Sequence, residues 1–432
     1  MEEKKIILGA GMTGLAAGVA SGFPIFEAAD TPGGICSSYY IRSGEKERLM
    51  HTPDDEEAYR FEIGGGHWIF GGESAISHFI RKITSVKSYT RYSSVYFIKK
   101  DLYVPYPLQN HLRFLDREIA VKALSEITGP KSSSRTMKEW LRQNFGPTLC
   151  DLFFYPFHEL YTAGLYDRIA PQDSYKSPVD SSLAIQGAFD TTSPAGYNAT
   201  FLYPENGLNA LSQEMANQCG VHYGKRAVQI DTGRKEVFFD DNSVLPYDTL
   251  ISTLPLNKII QLADLSVNDA PDPYTSVIVL NIGARRGSRC PDDQWVYIAE
   301  SFSGFHRVGF YSNVDPSFLP HSVRKNTNRV SIYVERAYMG GERPSEAEIK
   351  QYTQNVINEL QEWGFIEDIE VVDPTWIDVA YTWSWPGSSW KQQSIETLEQ
   401  YDIYQVGRYG RWTFQGIAKS IHDGLLAGAA LK

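Results

Sequence analysis

Three glycines stand as Gly9-x-Gly11-x-x-Gly14, directly after the apolar run Lys5-Ile6-Ile7-Leu8 and before the small residues Leu15 to Ala20. Glycine there lets the backbone turn tightly and approach a pyrophosphate at a helix N-terminus. A second apolar run, Pro24-Ile25-Phe26, ends on Glu27, whose carboxylate would accept hydrogen bonds from a ribose diol. The glycine pattern alone is weak evidence. Strand, turn, helix, second strand and terminal acid in that order make a dinucleotide site the reading. Glu27 follows Gly14 by thirteen residues, fewer than usual. The missing length is ~1.4 helical turns, so the first crossover helix is expected to be short. Two more glycine pairs follow, Gly33-Gly34 and Gly65-Gly66, the second leading into His67.

The elements that must hold these residues read in order along the chain. The stretch from Ile41 to Arg60 is polar and charged, and is expected to be an exposed excursion. Helical spacing marks Ile119 to Ile127 and Met137 to Phe145, and the aromatic run from Leu152 to Phe157 reads as core. A helix is expected from Leu208 to Gln218, then strands at 227–230, 237–239 and 249–252. From Ser276 to about Glu335 apolar alternation recurs without intervening helices, which predicts an antiparallel sheet. Glu346 to Trp363 reads as an amphipathic helix, Tyr404 to Gly407 as a strand, and Ala418 to Leu431 as a closing helix.

Composition narrows the partners. The chain has 432 residues, long enough for two or three domains, and 42% hydrophobic residues to fill their cores. A net charge of −11 argues against a general nucleic-acid binder or anionic-membrane binder. Cys36, Cys150, Cys219 and Cys290 are widely spaced, without zinc spacing, so free thiols and no metal are expected. No apolar run reaches the ~18–20 residues of a membrane span, and the glycine-rich start differs from a secretory signal. A cytoplasmic protein without membrane insertion is the expectation.

The segment from Glu27 to Gly34 resembles the second-strand glycine pair of the glutathione-reductase and amine-oxidase flavoproteins. Val406-Gly407-Arg408 with the helix from about Ser420 resembles the segment that closes over the flavin in that superfamily. FAD rather than NAD is therefore the expected cofactor. Five further segments, in chain order, resemble the UDP-galactopyranose mutases. They are Gly65-Gly66-His67-Trp68-Ile69-Phe70, Val104-Pro105-Tyr106-Pro107-Leu108-Gln109-Asn110, Asn198-Ala199-Thr200-Phe201, Tyr297 with Arg307 and Phe310-Tyr311-Ser312-Asn313, and Gly407-Arg408-Tyr409-Gly410-Arg411-Trp412. The resemblance and the element pattern agree on an α/β chain: a Rossmann-like FAD-binding domain with an inserted helical domain and an antiparallel β-sheet domain. The FAD-binding parts are expected at 1–85, 196–270 and 376–432, the helical domain at 86–195 and the sheet domain at 271–375.

The resemblance implies a flavin-dependent isomerase acting on a nucleotide-diphosphate sugar, a UDP-sugar first among them. Reduced flavin N5 attacks the anomeric carbon, the sugar opens and recloses through another hydroxyl, and no net redox change results. NAD(P)H is a candidate external reductant, and a homo-oligomer a candidate assembly. It also implies the roles. Gly9, Gly11, Gly14, Glu27, Gly33, Gly34, Gly65, Gly66, Arg408 and Ser420 would hold the cofactor. His67 would lie against the flavin and Arg307 would bind the diphosphate. Tyr106, Gln109, Asn198, Tyr297 and Tyr381 would line the substrate, with Tyr161 in place of an aromatic that stacks on the base. Two positions depart from the family. Lys176 replaces a second diphosphate arginine, keeping the charge but not the bidentate fork, and Phe414 replaces a phosphate-contacting tyrosine. Lys419 is a candidate to compensate. No catalytic triad or carboxylate pair is evident. The alternatives are an oxidoreductase of amine-oxidase or desaturase type on the same scaffold, or a mutase relative using the flavin–sugar adduct for another rearrangement, such as carbocycle formation. A non-enzymatic FAD-binding scaffold is a further one.

Overall fold

The computed structural model describes residues 3–172, 180–190, 199–326 and 328–432. Lys5–Leu8 is the centre of a five-stranded parallel sheet, in the order Val221–His222, Ile25–Phe26, Lys5–Leu8, Thr249–Ser252, Ile403–Gln405. Ile6, Ile7 and Leu8 are all buried, as a parallel strand covered on both faces requires. The first helix, Met12–Ser21, has ten residues and is short as expected. Gly22 ends it in the left-handed region at φ 77°, with its N–H donated to the Gly18 carbonyl at 2.8 Å. The closing helix, Ile417–Leu431, crosses it at backbone contact. A Cβ on Gly424 would fall 2.2 Å from the Thr13 carbonyl oxygen, and one on Gly428 2.3 Å from that of Ala17.

The second sheet has seven strands, in the order Ile366–Thr382, Tyr274–Arg286, Arg329–Met339, Arg307–Phe310, Trp295–Ile298, Ser93–Phe97, Leu102–Pro105. It is antiparallel except where Trp295–Ile298 pairs in parallel with Ser93–Phe97. That strand and its hairpin partner come from the 86–195 segment expected to be mainly helical, and they extend the sheet toward the helices. Helix Glu346–Glu362 covers one face, burying Tyr352, Val356 and Leu360 against Val330, Ile332 and Val334. Its start carries a capping box, Ser345 with Glu348.

One expectation needs correction. The excursion is confined to 42–58, because Ser38–Ile41 and Tyr59–Glu62 form a buried antiparallel pair. Arg60 enters the core because its guanidinium lies 4.2 Å over the Phe318 ring and donates to Ser317 Oγ at 2.8 Å. The strand Ile366–Thr382 runs unbroken through position 375. It tolerates Pro374 because it is the edge strand. The closing helix begins at Ile417, so Ser420 lies within its first turn.

The helical part comprises Arg117–Ile127, Met137–Leu149, Tyr155–Tyr161 and Ser181–Phe189, with a π-helical turn at Cys150–Phe154. The aromatic run is core as expected, with Phe153 and Phe154 buried and the Phe145 and Phe154 rings stacked at 4.2 Å. All four cysteines are free. Among the described residues no helix is long and apolar enough to cross a membrane.

Candidate functional site

A cavity of about 360 Å³ opens between the parallel sheet, the seven-stranded sheet and the closing helix. That is within the roughly 300–1,000 Å³ of small-molecule and cofactor sites. One end is built from the glycine turn. Gly9 has φ 97°, and Gly33 (φ 104°) donates its N–H to the Ala10 carbonyl at 2.8 Å, joining the two glycine loops. Gly11 lines the cavity, and a Cβ there would meet no protein atom within 4 Å. Gly14 has the opposite reason for being glycine. Its Cβ would fall 1.9 Å from the Gly9 carbonyl oxygen, so it permits close packing of helix on strand. Glu27 lies outside the cavity wall. Its two carboxylate oxygens accept from Ala10 N at 2.7 Å and Ala29 N at 2.8 Å. Each oxygen keeps a further lone pair for a diol.

Two helix N-termini face this space, each with a glycine N-cap and no side-chain cap: Gly11 before Met12 and Gly416 before Ile417. Their open N–H groups suit an anion or a polarised carbonyl. His67 lies on the wall with its Nδ1 buried and without a partner. Burial, and then the nearby Arg408 cation, lower its pKa to about 4, so the imidazole is neutral. Arg408 donates to the Ala380 carbonyl at 2.9 Å and the Gln415 carbonyl at 3.2 Å. Its guanidinium lies 4.7 Å from the Phe414 ring and 5.5 Å from that of Tyr381. Ser420 lines the same end and its hydroxyl donates to the Gln415 side-chain amide oxygen at 3.1 Å. The open glycine cradle, with Gly11 and the two uncapped helix N-termini facing the cavity, fits a flavin dinucleotide.

Beyond His67 the wall carries Tyr297, Tyr381, Phe414, Arg307 and Glu335. Burial pushes the Tyr381 hydroxyl well above its ordinary pKa, so it keeps its proton and can donate. Arg307 is engaged by Glu335: Nε donates to Oε2 at 3.0 Å and Nη2 to the other oxygen. His306 Nε2 lies 3.5 Å from the same carboxylate. These partners hold Glu335 down to about 2 despite its burial. Glu335 was not among the expected site residues. The signal was a lone acid ending the apolar run Val330 to Val334, but only strand register places it opposite Arg307. Gly65 follows from this carboxylate, since a Cβ there would fall 2.8 Å from Glu335 Oε1. Gly66 leaves room for the Tyr333 hydroxyl, 2.1 Å from where its Cβ would be. Cys36 and Thr253 also line the cavity unforeseen, with burial pushing the Cys36 thiol up to about 12.

Other expected site residues lie behind this wall. The Tyr106 ring sits 4.5 Å from that of Tyr297, and both Tyr106 and Gln109 are buried. Tyr161 is 3% exposed. It packs among Phe157 at 5.6 Å, Tyr381 at 4.9 Å and Trp383 at 5.4 Å, and lines a small second cavity with Tyr106, Gln172 and Tyr297. Lys419 turns outward to Asp423 at 2.8 Å and does not reach the cavity. Lys176 and Asn198 lie outside the described residues.

The family model for flavin-containing amine oxidoreductases matches residues 16–431. Among solved structures, the chain is similar to a reduced UDP-galactopyranose mutase, with TM-score 0.83 and 21% identity over 100% of this chain and 95% of that one. A putative protoporphyrinogen oxidase from Exiguobacterium sp. 255-15 matches with TM-score 0.65 and 14% identity, covering 100% and 98%. Putrescine oxidase bound to putrescine matches with TM-score 0.58 and 15% identity, covering 100% and 99%. These likenesses show a shared fold. With the family match spanning nearly the whole chain around a glycine-lined dinucleotide cavity, the chain belongs to the flavin-containing amine oxidoreductase family.

Proposed function

We propose that this flavoprotein is a nucleotide-sugar isomerase of the UDP-galactopyranose mutase type. One observation carries the reading. Among the described residues lining the cavity, the charged groups are Arg307, Arg408 and Glu335, since His67 is neutral. The wall thus holds a net positive charge within a protein of net charge −11. Such a wall attracts an anionic group and opposes a protonated amine. The bound flavin would supply, in its reduced form, a nucleophile for the anomeric carbon. Gly9, Gly11, Gly33 and Gly34 would hold its pyrophosphate region, and Glu27 its ribose. Gly65, Gly66, His67, Arg408 and Ser420 would border its ring. Arg307 would hold the diphosphate, while Tyr297 and Tyr381 orient it by hydroxyl donation, and the buried aromatic wall behind them excludes water. Phe414 offers apolar contact where a hydroxyl would add a phosphate bond. Lys176 and Asn198 complete the proposed substrate set.

The test is anaerobic incubation of the protein, reduced by dithionite or NAD(P)H, with a panel of UDP-sugars and other nucleotide sugars, followed by product NMR. Interconversion without oxygen uptake supports the isomerase. The second reading, an oxidoreductase, draws on the family description and the oxidase neighbours. Bleaching of the oxidised flavin by an amine or another reducing substrate, with no sugar product, would establish it instead. A product NMR spectrum showing a carbocycle or other rearrangement would identify a mutase relative with a different outcome.

A further inference from the structure

Arg307 and Glu335 stand directly opposite each other on adjacent antiparallel strands, and both reach the cavity. The carboxylate is fixed on three sides. Arg307 grips both of its oxygens, His306 approaches at 3.5 Å, and Gly65 lies so close that no side chain could be added there. Glu335 is 2% exposed, whereas the Arg307 side chain keeps 19%. The pair therefore presents a guanidinium face outward with its countercharge locked behind it. A simple structural ion pair needs no opening onto a cavity. An anchor built only for tight anion binding would not carry a fixed carboxylate against its cation.

We propose that Glu335 is a built-in counter-ion that sets how tightly Arg307 holds the anionic part of the substrate. It orients the guanidinium while the site is empty. When a nucleoside diphosphate binds, its charge lowers the affinity enough for the group to leave and return. The proposal rests on the reading that the substrate is anionic. Glu335 acts through Arg307 and is a positioning residue.

The experiment compares flavin-loaded wild type with Glu335→Gln, which keeps an acceptor for Arg307 and removes the charge. UDP, inorganic pyrophosphate and uncharged uridine are the probes. One charge removed near the bound anion should tighten UDP and pyrophosphate on the order of tenfold. Uridine affinity should stay unchanged, and turnover should fall through slower release of the product nucleotide sugar. Glu335→Met, also uncharged, should shift the anions in the same direction and guards against a folding failure of one variant. The proposal is overturned if wild type binds UDP while the folded, flavin-loaded variants bind it no tighter. Binding of neither UDP nor pyrophosphate by wild type and variants alike overturns the anionic-substrate reading, and this inference with it.

Discussion

Substituting Gly11 with alanine separates the cofactor cradle from the fold that carries it. Gly11 has φ −69° and ψ 174°, which alanine adopts without strain. A Cβ there meets no protein atom within 4 Å. Folding of the flavin-free protein should therefore be unharmed, and the stiffer chain should gain about 0.4–1 kcal/mol. The methyl group would stand in the cavity in front of the open N–H groups of the first helix. Keeping a pyrophosphate from one charge-assisted hydrogen bond costs about 1.5–3 kcal/mol, or about one to two decades of FAD affinity. The contrast is Gly14→Ala, whose Cβ would fall 1.9 Å from the Gly9 carbonyl oxygen and force helix from strand. It should lose stability with or without FAD. The assays are FAD titration of deflavinated protein and thermal unfolding of the same samples. A Gly11→Ala protein that binds FAD as tightly as wild type would refute the cradle. Unfolding of the flavin-free variant would show that Gly11 is needed by the fold instead.

Arg307→Ala should weaken UDP by about one to two decades with full FAD content. It should also destabilise the protein by about 3–5 kcal/mol, since Glu335 is left buried with its main charge partner gone and only His306 beside it; nucleotide titration and denaturant unfolding check the two effects. Tyr161→Ala should cost about 3–5 kcal/mol as a core truncation. Tyr161→Phe should keep the packing, so equal UDP affinity of Tyr161→Phe and wild type is the expected titration result. Glu62 titrates at about 7 in the fold, raised from 4.5 by burial. Between pH 4.5 and 7 the folded state then binds the extra proton, so this group's contribution to stability falls as pH rises through that window. Glu62→Gln should therefore gain more over wild type at pH 8 than at pH 5; equal differences in unfolding midpoint at the two pH values would count against this.

Local sequence determined the parts whose chemistry is local. The turn from Gly9 to Gly14 and its short helix were legible because Gly9 takes a left-handed backbone and Gly14 a close helix-to-strand contact that only glycine allows. Glu27 was legible as the acid ending a two-residue strand, and the aromatic run from Leu152 to Phe157 as core because it offers no polar face. Tertiary structure decided what depends on pairing between distant segments. Strand register, invisible in either strand alone, sets Glu335 against Arg307. The spacing of Gly424 and Gly428 is readable, yet only the crossing of the two helices shows that it brings Ile417 and Ser420 to the cavity. The Ser93–Phe97 strand and its hairpin partner Leu102–Pro105 join a sheet whose five other strands come from far along the chain, and the parallel pairing that makes the join leaves no signal in local sequence. Tyr161 carries a suitable ring for stacking, but its neighbours come from its own helix, from His306 and from the Tyr381–Trp383 segment, and their packing around it decides that it is buried.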